Sequence, residues 1–407
     1  MTSRLFDRVV AATLIVIPLI IIPRMTDSFR VPKMSALIAA GFILIVLGFS
    51  RLPRLVREHR HVTILVAAIV SWTLIGTLLS VNRSLSLRSL IIVIASAAIF
   101  LAMLDFFERH SIVALWLIIA PAAINALFVM LQRLGWNPMH PLEKVPLHIT
   151  YSALIGNPDD VCTYLAPAGL IAFIAALKIL RPRVLAWIAA IVIPCGMIAS
   201  NSLTGLIAYG AGMITVALVI TRKRSLIAIA ALIIVAAASV LFVPTLAKRM
   251  THIRERANAG KYNDMISGRL TPTITALLMA RDHPIFGAGP GTFRFLYFDT
   301  KIRAEERFPD LLGITPMNFG ETHDDYAQVL AESGIPGFAL LLASIFILAR
   351  LTLRATNRFV QLLAHPLAIT FVLVCTTQFP LRLASTLIVF LSLAAVCIAR
   401  SGATDAA

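Results

Sequence analysis

The side chains best suited to chemistry lie between residues 247 and 333, where an otherwise apolar sequence becomes polar. Arg269 ends the run SGR just before a helical pattern, and His323 stands at the start of a second helical pattern. A guanidinium group forms charge-assisted, often bidentate hydrogen bonds with phosphate or carboxylate oxygens. An imidazole gains or loses a proton near neutral pH. The stretch therefore carries one group suited to binding an anion and one suited to acid–base catalysis.

A glycine-rich turn separates these two side chains along the sequence. Gly287, Gly289 and Gly291 lie in the run GAGPG, and glycine lets the backbone turn sharply and approach a ligand closely. No Lys-Ser or Lys-Thr pair follows, as it would in a phosphate-binding P-loop, so the turn is interpreted as structural. Glu332 comes about two and a half helical turns after His323 and projects to the opposite side, which predicts a bracing role in the loop.

Two short helices are predicted to position these groups. The first covers 272–281, with Thr271 as its N-cap, and ends before a His-Pro pair. The second covers 323–332, with Thr322 as its N-cap, and stops at the next glycine. The histidine thus starts the second helix, where the helix dipole favours the neutral imidazole while the neighbouring aspartates favour the charged form.

The remainder of the chain has the composition of a membrane protein. Hydrophobic residues make up 59% of the sequence and charged residues 14%, too few charges to cover a soluble protein of 407 residues. The apolar runs are roughly 17 to 22 residues long, the length that crosses a bilayer as a helix. Twelve spans are predicted, near 9–23, 32–50, 62–80, 86–106, 111–131, 159–180, 184–200, 202–221, 225–246, 334–354, 361–378 and 381–399. The predicted fold class is an all-α polytopic membrane protein with one large loop that contains short helices.

The spans divide the chain into three parts. Residues 1–246 form an N-terminal bundle, 247–333 form the large loop, and 334–407, beginning at Gly334, form the C-terminal helices and a short tail. With a cytoplasmic N-terminus, the inside segments carry about twice as many Lys and Arg residues as the short outside segments. Both termini are therefore predicted to be cytoplasmic, and the large loop is predicted to face outward.

The charge and the cysteines exclude other classes of protein. The net charge of +16 is explained by basic loops that face the cytoplasm, so nucleic acid is not predicted as a partner. The four cysteines lie in apolar runs without close spacing, which indicates neither a disulfide framework nor a metal site. Membrane lipids are the partners that the apolar spans themselves predict.

Three motifs of the large loop, taken together, resemble the O-antigen ligase superfamily, which includes O-antigen ligases, Wzy-type polymerases and protein O-oligosaccharyltransferases. They are SGR at 267–269, DHPIFGAGPGTF at 282–293 and HDDYAQVLAESGIPG at 323–337. GNP at 156–158 and QFPL at 378–381 extend the resemblance. It covers most of the second half of the chain, while the first 150 residues are similar only as hydrophobic helices.

The resemblance implies a glycosyltransferase that works without a metal ion or cofactor. The donor is a glycan linked to undecaprenyl diphosphate, and the acceptor is a hydroxyl group of lipid A–core in ligases or of another lipid-linked glycan in polymerases. Within this interpretation His323 is the general base and Arg269 binds the diphosphate. The implied location is the bacterial inner membrane, with the active site on its periplasmic face. Chain length and topology favour the ligase, and the polymerase is the alternative.

A second diphosphate-binding arginine is expected, because many ligases carry one in an outer hairpin that here reads NSLTG at 201–205. The candidates are Arg88, Arg382 and Arg294. Arg88 and Arg382 rank higher because an arginine beside a span can reach the depth of the lipid headgroups. Asn157 is a candidate substrate contact or a helix cap.

Two further classes of function stay open at this point. A transporter for lipid-linked glycans is one, although the spans are nearly free of charges and contain no visible internal repeat. A sensor or scaffold whose outer loop binds envelope glycans is the other, and it would not need His323.

Overall fold

The computed structural model describes residues 2–137, 151–178, 181–220 and 244–401, apart from Arg24, Thr26, Arg354 and Thr356. These residues form helices and connecting segments without a β-strand. Ten of the described helices are long and apolar enough to cross a membrane. The fold class of an all-α polytopic membrane protein is thereby confirmed. The predicted span 225–246 lies outside the described residues except for its last three positions.

The helices of the bundle follow one another as long apolar segments joined by short connections. They are α1 Thr2–Leu19, α2 Arg30–Gly48, the short α3 Leu52–Glu58, α4 Arg60–Leu78, α5 Arg83–Arg109, α6 Trp116–Arg133, α7 Pro158–Lys178, α8 Arg183–Ser200 and α9 Leu203–Ile220. After the large loop come α15 Asp325–Leu353, α16 Arg358–Cys375 and α17 Ala384–Ser401. The helices of the loop are α10 Pro244–Asn258, α11 Tyr262–Met265, α12 Leu270–Asp282, α13 Phe293–Arg307 and α14 Pro309–Leu312.

Helix α7 lies at the centre of the bundle and is almost entirely buried. It packs against α6, α8, α9, α16 and α17. Small residues permit this close packing: a Cβ atom at Gly205 would overlap the backbone of Cys162 on α7. Because α7 begins with Pro158, Asp159 and Asp160, the packing of this helix fixes two carboxylates at one end of the bundle.

Charged side chains collect at the opposite end of the bundle. Asp105, near the end of α5, is buried and accepts hydrogen bonds from Arg51, Arg54 and Arg109. Arg400 at the end of α17 donates to a backbone carbonyl of the same region. The sequence assigns these arginines to the cytoplasmic side, where the packing of α5 places them together.

The first predicted loop helix is present as α12, but its predicted cap is wrong. The helix begins at Leu270, and the hydroxyl of Thr271 does not cap it. That hydroxyl lies 2.7 Å from Thr315 Oγ1 and accepts from Asn263 Nδ2 at 2.9 Å. The side chain that the local sequence predicts as a helix cap therefore belongs to a tertiary hydrogen-bond network instead.

The second predicted loop helix is also present, and its predicted cap is wrong as well. Asp324, not Thr322, is the N-cap of α15, because its Oδ1 accepts from the backbone N–H groups of Tyr326 and Ala327, each at 3.1 Å. Thr322 Oγ1 accepts from the N–H of Asp324 at 3.0 Å, one step before the helix starts. At Gly334, with φ of 66°, the helical backbone is interrupted before it continues toward Leu353.

Candidate active site

Arg269 and His323 meet the same short segment between α16 and α17, although they lie far apart in sequence. Arg269 Nη1 donates to the carbonyl of Thr377 at 3.1 Å, and Nη2 pairs with Asp159 Oδ2 at 2.8 Å. His323 Nδ1 lies 3.4 Å from Gln378 Oε1. The large loop, the start of α7 and the entry to α17 thus converge on one polar site at the end of the bundle.

The imidazole of His323 is held by aromatic contacts and by an unusual backbone conformation. Its ring packs edge to face against the rings of Phe379 and Phe319, with distances between ring centres of 4.9 Å and 5.8 Å. The φ of His323 is 56°, in the left-handed region that few residues other than glycine adopt. Such strain persists where the surrounding structure enforces it and is frequent at functional sites.

The surroundings of His323 keep its imidazole neutral. Burial, together with the positive charge of Arg269, lowers the pKa of His323 to about 4, although the hydrogen bond with Gln378 acts in the other direction. With Gln378 Oε1 as the acceptor of this hydrogen bond, Nδ1 carries the hydrogen and Nε2 keeps its lone pair. The side chain is therefore prepared to accept a proton through Nε2.

Arg30 is a second arginine at this site, and it was not among the residues singled out in the sequence. Its guanidinium lies 5.2 Å from the centre of the Phe379 ring and pairs with Asp160 Oδ2 at 3.3 Å. Its positive charge also lowers the pKa of His323. Arg30 and Arg269 thus flank the histidine, each held by one of two successive aspartates at the start of α7. The only signal for Arg30 in the sequence is its position at the outer start of a span.

The other three arginine candidates have no contact with His323 among the described residues. Arg382 Nη2 pairs with Glu332 Oε2 at 2.7 Å, just before α17. Arg294 is exposed and pairs with Glu321 at 3.0 Å. Arg88 is exposed on α5 and forms no hydrogen bond or ion pair within the described part of the chain. These contacts do not bring the three arginines to His323.

Asn157 has a local role in the structure. Its Oδ1 accepts from the backbone N–H of Asp159 at 2.9 Å, as expected of a side chain that caps the start of α7. By fixing this turn, Asn157 also fixes the carboxylate that holds Arg269.

The glycine turn is wedged between α15 and the outer ends of α4 and α5. Gly287, Gly289 and Gly291 all have positive φ, at 69°, 117° and 77°. A Cβ atom at Gly289 would overlap Ser80 Oγ. Glu332 Oε2 accepts from the N–H of Gly291 at 2.7 Å. These contacts are those of a structural turn that Glu332 braces.

The distribution of carboxylates at the site suits an anion better than a cation. Asp159 and Asp160 are each paired with an arginine. Within the described ranges, one group of three possible metal ligands comes close together, and it consists of Glu58, His59 and Glu108 at the other end of the bundle. The two arginines and the neutral histidine are groups suited to an anion and to proton transfer, respectively.

The fold and the geometry define an all-helical membrane protein with two arginines and a partly buried histidine close together at one end of the bundle. Residues 184–342 match the family described as O-antigen ligase. The matched region runs from α8 to the first part of α15 and contains Arg269, the glycine turn, His323 and Glu332. The match confirms, over these residues, the resemblance to the O-antigen ligase and Wzy-type superfamily. No curated protein matches the chain.

Proposed function

We propose that this protein transfers a glycan from undecaprenyl diphosphate to a hydroxyl group of lipid A–core, with His323 as general base and Arg269 as a diphosphate ligand. The observation that carries the proposal is the convergence of Arg269 and a neutral His323 on one polar site, within the region that matches O-antigen ligase. A transporter would need no base held in this state at the edge of the bundle.

In the proposed reaction, the acceptor hydroxyl oxygen attacks the anomeric carbon of the donor sugar. The bond between that carbon and the diphosphate oxygen breaks, and the electron pair leaves with the diphosphate. Nε2 of His323 takes the proton of the hydroxyl group. The fixed charge of Arg269 would stabilise the negative charge that grows on the leaving oxygen.

Donor binding would also strengthen the base. In the free protein the charge of Arg269 contributes to the low pKa of His323. A diphosphate on Arg269 offsets that charge and adds negative charge nearby, so the pKa of His323 rises toward the range of an effective general base. The site would then become most basic when the substrate is in place.

We infer the same orientation in the membrane as the sequence predicts. The cluster of Arg51, Arg54 and Arg109 around Asp105 marks the cytoplasmic end, and the site at the other end would face the periplasm of a bacterial inner membrane. The parts 1–246, 247–333 and 334–407 would then be an N-terminal bundle, a periplasmic catalytic loop and a C-terminal helical part.

The test is a transfer assay with the full-length protein in nanodiscs, undecaprenyl-diphosphate glycan as donor and lipid A–core as acceptor, in the presence of EDTA. We expect product from the wild type and none from His323→Ala or Arg269→Ala. Two matched controls, His252→Ala and Arg281→Ala, alter exposed loop residues outside the site and should retain activity.

The possible results separate the proposed function from its alternatives. Longer lipid-linked chains without use of lipid A–core would identify a polymerase and refute the ligase. Full activity of His323→Ala would refute the proposed base. No transfer to either acceptor by the wild type would favour a transporter or a binding protein.

A further inference from the structure

A small cavity adjoins the site between α2 and the start of α17. Its volume is about 20 Å³, enough for one water molecule or one ligand oxygen. Three of the side chains that line it are cationic: Arg30, Lys33 and Arg382. Because Arg30 also lies over Phe379 beside the histidine, the cavity borders the proposed catalytic site.

The charges of the three cations are not equally compensated. Arg382 is paired with Glu332, and Arg30 is paired with Asp160. Lys33 is only 3% exposed, and no carboxylate of the described residues lies within 4.0 Å of its Nζ, although Asp27 is near enough to act on it electrostatically. Its Nζ donates to the carbonyl of Ile20 and has two further hydrogens to donate. A buried ammonium without a direct ion pair is destabilising, and a bound anion would supply the missing partner.

Snorkelling does not explain this lysine. A lysine that anchors a span extends its ammonium into water at the headgroups. Lys33 instead turns into the protein and lines the cavity. Arg30 and Lys33 are three positions apart in the first turn of α2, so they share one face at the positive end of the helix dipole. The arrangement is that of an anion subsite.

We propose that Arg30 and Lys33 form the second cationic arm of the donor site and bind the phosphate group that Arg269 does not hold. This assignment rests on the proposed function. It supplies the positive charge that the hairpin at 201–205 lacks, and it assigns the role to α2, an element with no sequence motif. With one arm on each phosphate, the site selects a prenyl diphosphate over a prenyl monophosphate.

Binding measurements on the full-length protein in nanodiscs of zwitterionic lipid test the assignment. The probes are farnesyl diphosphate and farnesyl monophosphate, and the variants are Lys33→Met and Lys33→Arg. Lys33→Met should lose roughly tenfold in affinity for the diphosphate, with the affinity for the monophosphate unchanged. Lys33→Arg should retain the preference. An unchanged ratio of affinities in Lys33→Met overturns the assignment.

Thermal unfolding without ligand separates anion binding from a structural role. Removal of a buried ammonium that has no direct ion pair should leave the melting temperature of Lys33→Met unchanged or raise it. A lower melting temperature, together with preserved diphosphate selectivity, would show that Lys33 only joins α2 to the end of α1 through Ile20.

Two further comparisons distinguish the source of the phosphate and the failure of each proposal. If phosphatidylglycerol in the nanodisc, and not the prenyl diphosphate, binds in a way that depends on Lys33, the cavity holds a membrane lipid and the assignment is wrong. If glycan transfer requires His323 but the affinity for the diphosphate does not depend on Lys33, the proposed function stands and the subsite is refuted. If the selectivity for the diphosphate depends on Lys33 but the protein transfers no glycan, the subsite stands and the proposed function is refuted.

Discussion

Replacement of Glu332 by glutamine is expected to loosen the glycine turn while the helical bundle stays intact. The carboxylate is 2% exposed, pairs with Arg382 at 2.7 Å and accepts from the N–H groups of Gly291 at 2.7 Å and Phe293 at 3.3 Å. An amide of the same shape keeps one acceptor oxygen, loses the charge and presents an NH2 group to either the guanidinium or the turn.

The magnitude follows from these contacts. A hydrogen bond to a charged acceptor contributes about 1.5–3 kcal/mol, and breaking a buried ion pair removes about 3–5 kcal/mol. The second figure is discounted here because Arg382 is 24% exposed and has Asp325 Oδ1 at 4.0 Å as a remaining partner. The free energy of opening the turn should therefore fall by about 3 kcal/mol, a change of roughly a hundredfold in the opening equilibrium.

Hydrogen exchange measured by mass spectrometry on peptides that cover 287–293 is the suitable assay. Exchange of this segment should become roughly a hundredfold faster in Glu332→Gln, while peptides from α7 exchange as in the wild type. Glu306→Gln, an exposed carboxylate on α13, is the matched control and should change neither. Unchanged exchange at 287–293 would refute the argument that Glu332 braces the turn.

Three other perturbations give distinct outcomes. Because the pKa of His323 is lowered to about 4, kcat/KM for transfer should stay level as the pH falls to about 5 and decline only toward pH 4, whereas a decline centred near pH 6.5 would show an unperturbed histidine. Arg269→Lys should reduce transfer by roughly tenfold or more, because an ammonium cannot keep both forked contacts at once; activity assays would show whether charge alone suffices. Gly289→Ala should destabilise the loop by several kcal/mol, since its Cβ would overlap Ser80. Gly260→Ala, also at positive φ but with open space around it, should cost only about 1 kcal/mol in thermal unfolding.

The sequence predicts the fold class and two residues of the site for clear physical reasons. A bilayer requires long apolar helices, so their lengths appear directly in the hydropathy pattern. Arg269 and His323 stand out because each lies in a motif at the start of a short helix. Local patterns of this kind are largely independent of how the chain packs.

The parts that the sequence did not predict depend on distant partners. Thr271 looks like a cap, but Thr315 and Asn263 take its hydroxyl group. Arg382 is a predicted ligand of the diphosphate, and the sequence gives no sign of its ion pair with Glu332. Arg30 was overlooked because its partner Asp160 lies on α7, and no spacing along the chain indicates which arginine faces which aspartate.

The two successive aspartates at the start of α7 bear on the biosynthesis of the protein. They form ion pairs with Arg30 of the second helix and with Arg269 of the large loop. The hydrogen-bond partner of His323 is Gln378, which lies just before the last helix. Helices are synthesised and inserted in chain order, so the residues of the first helices are in the membrane before the later residues of the site have been made. A nascent chain carries Arg30, Asp159 and Asp160 long before it carries a base held in place. On the proposed function, the site would therefore be completed only in the final stage of synthesis, and chains released early would transfer no glycan.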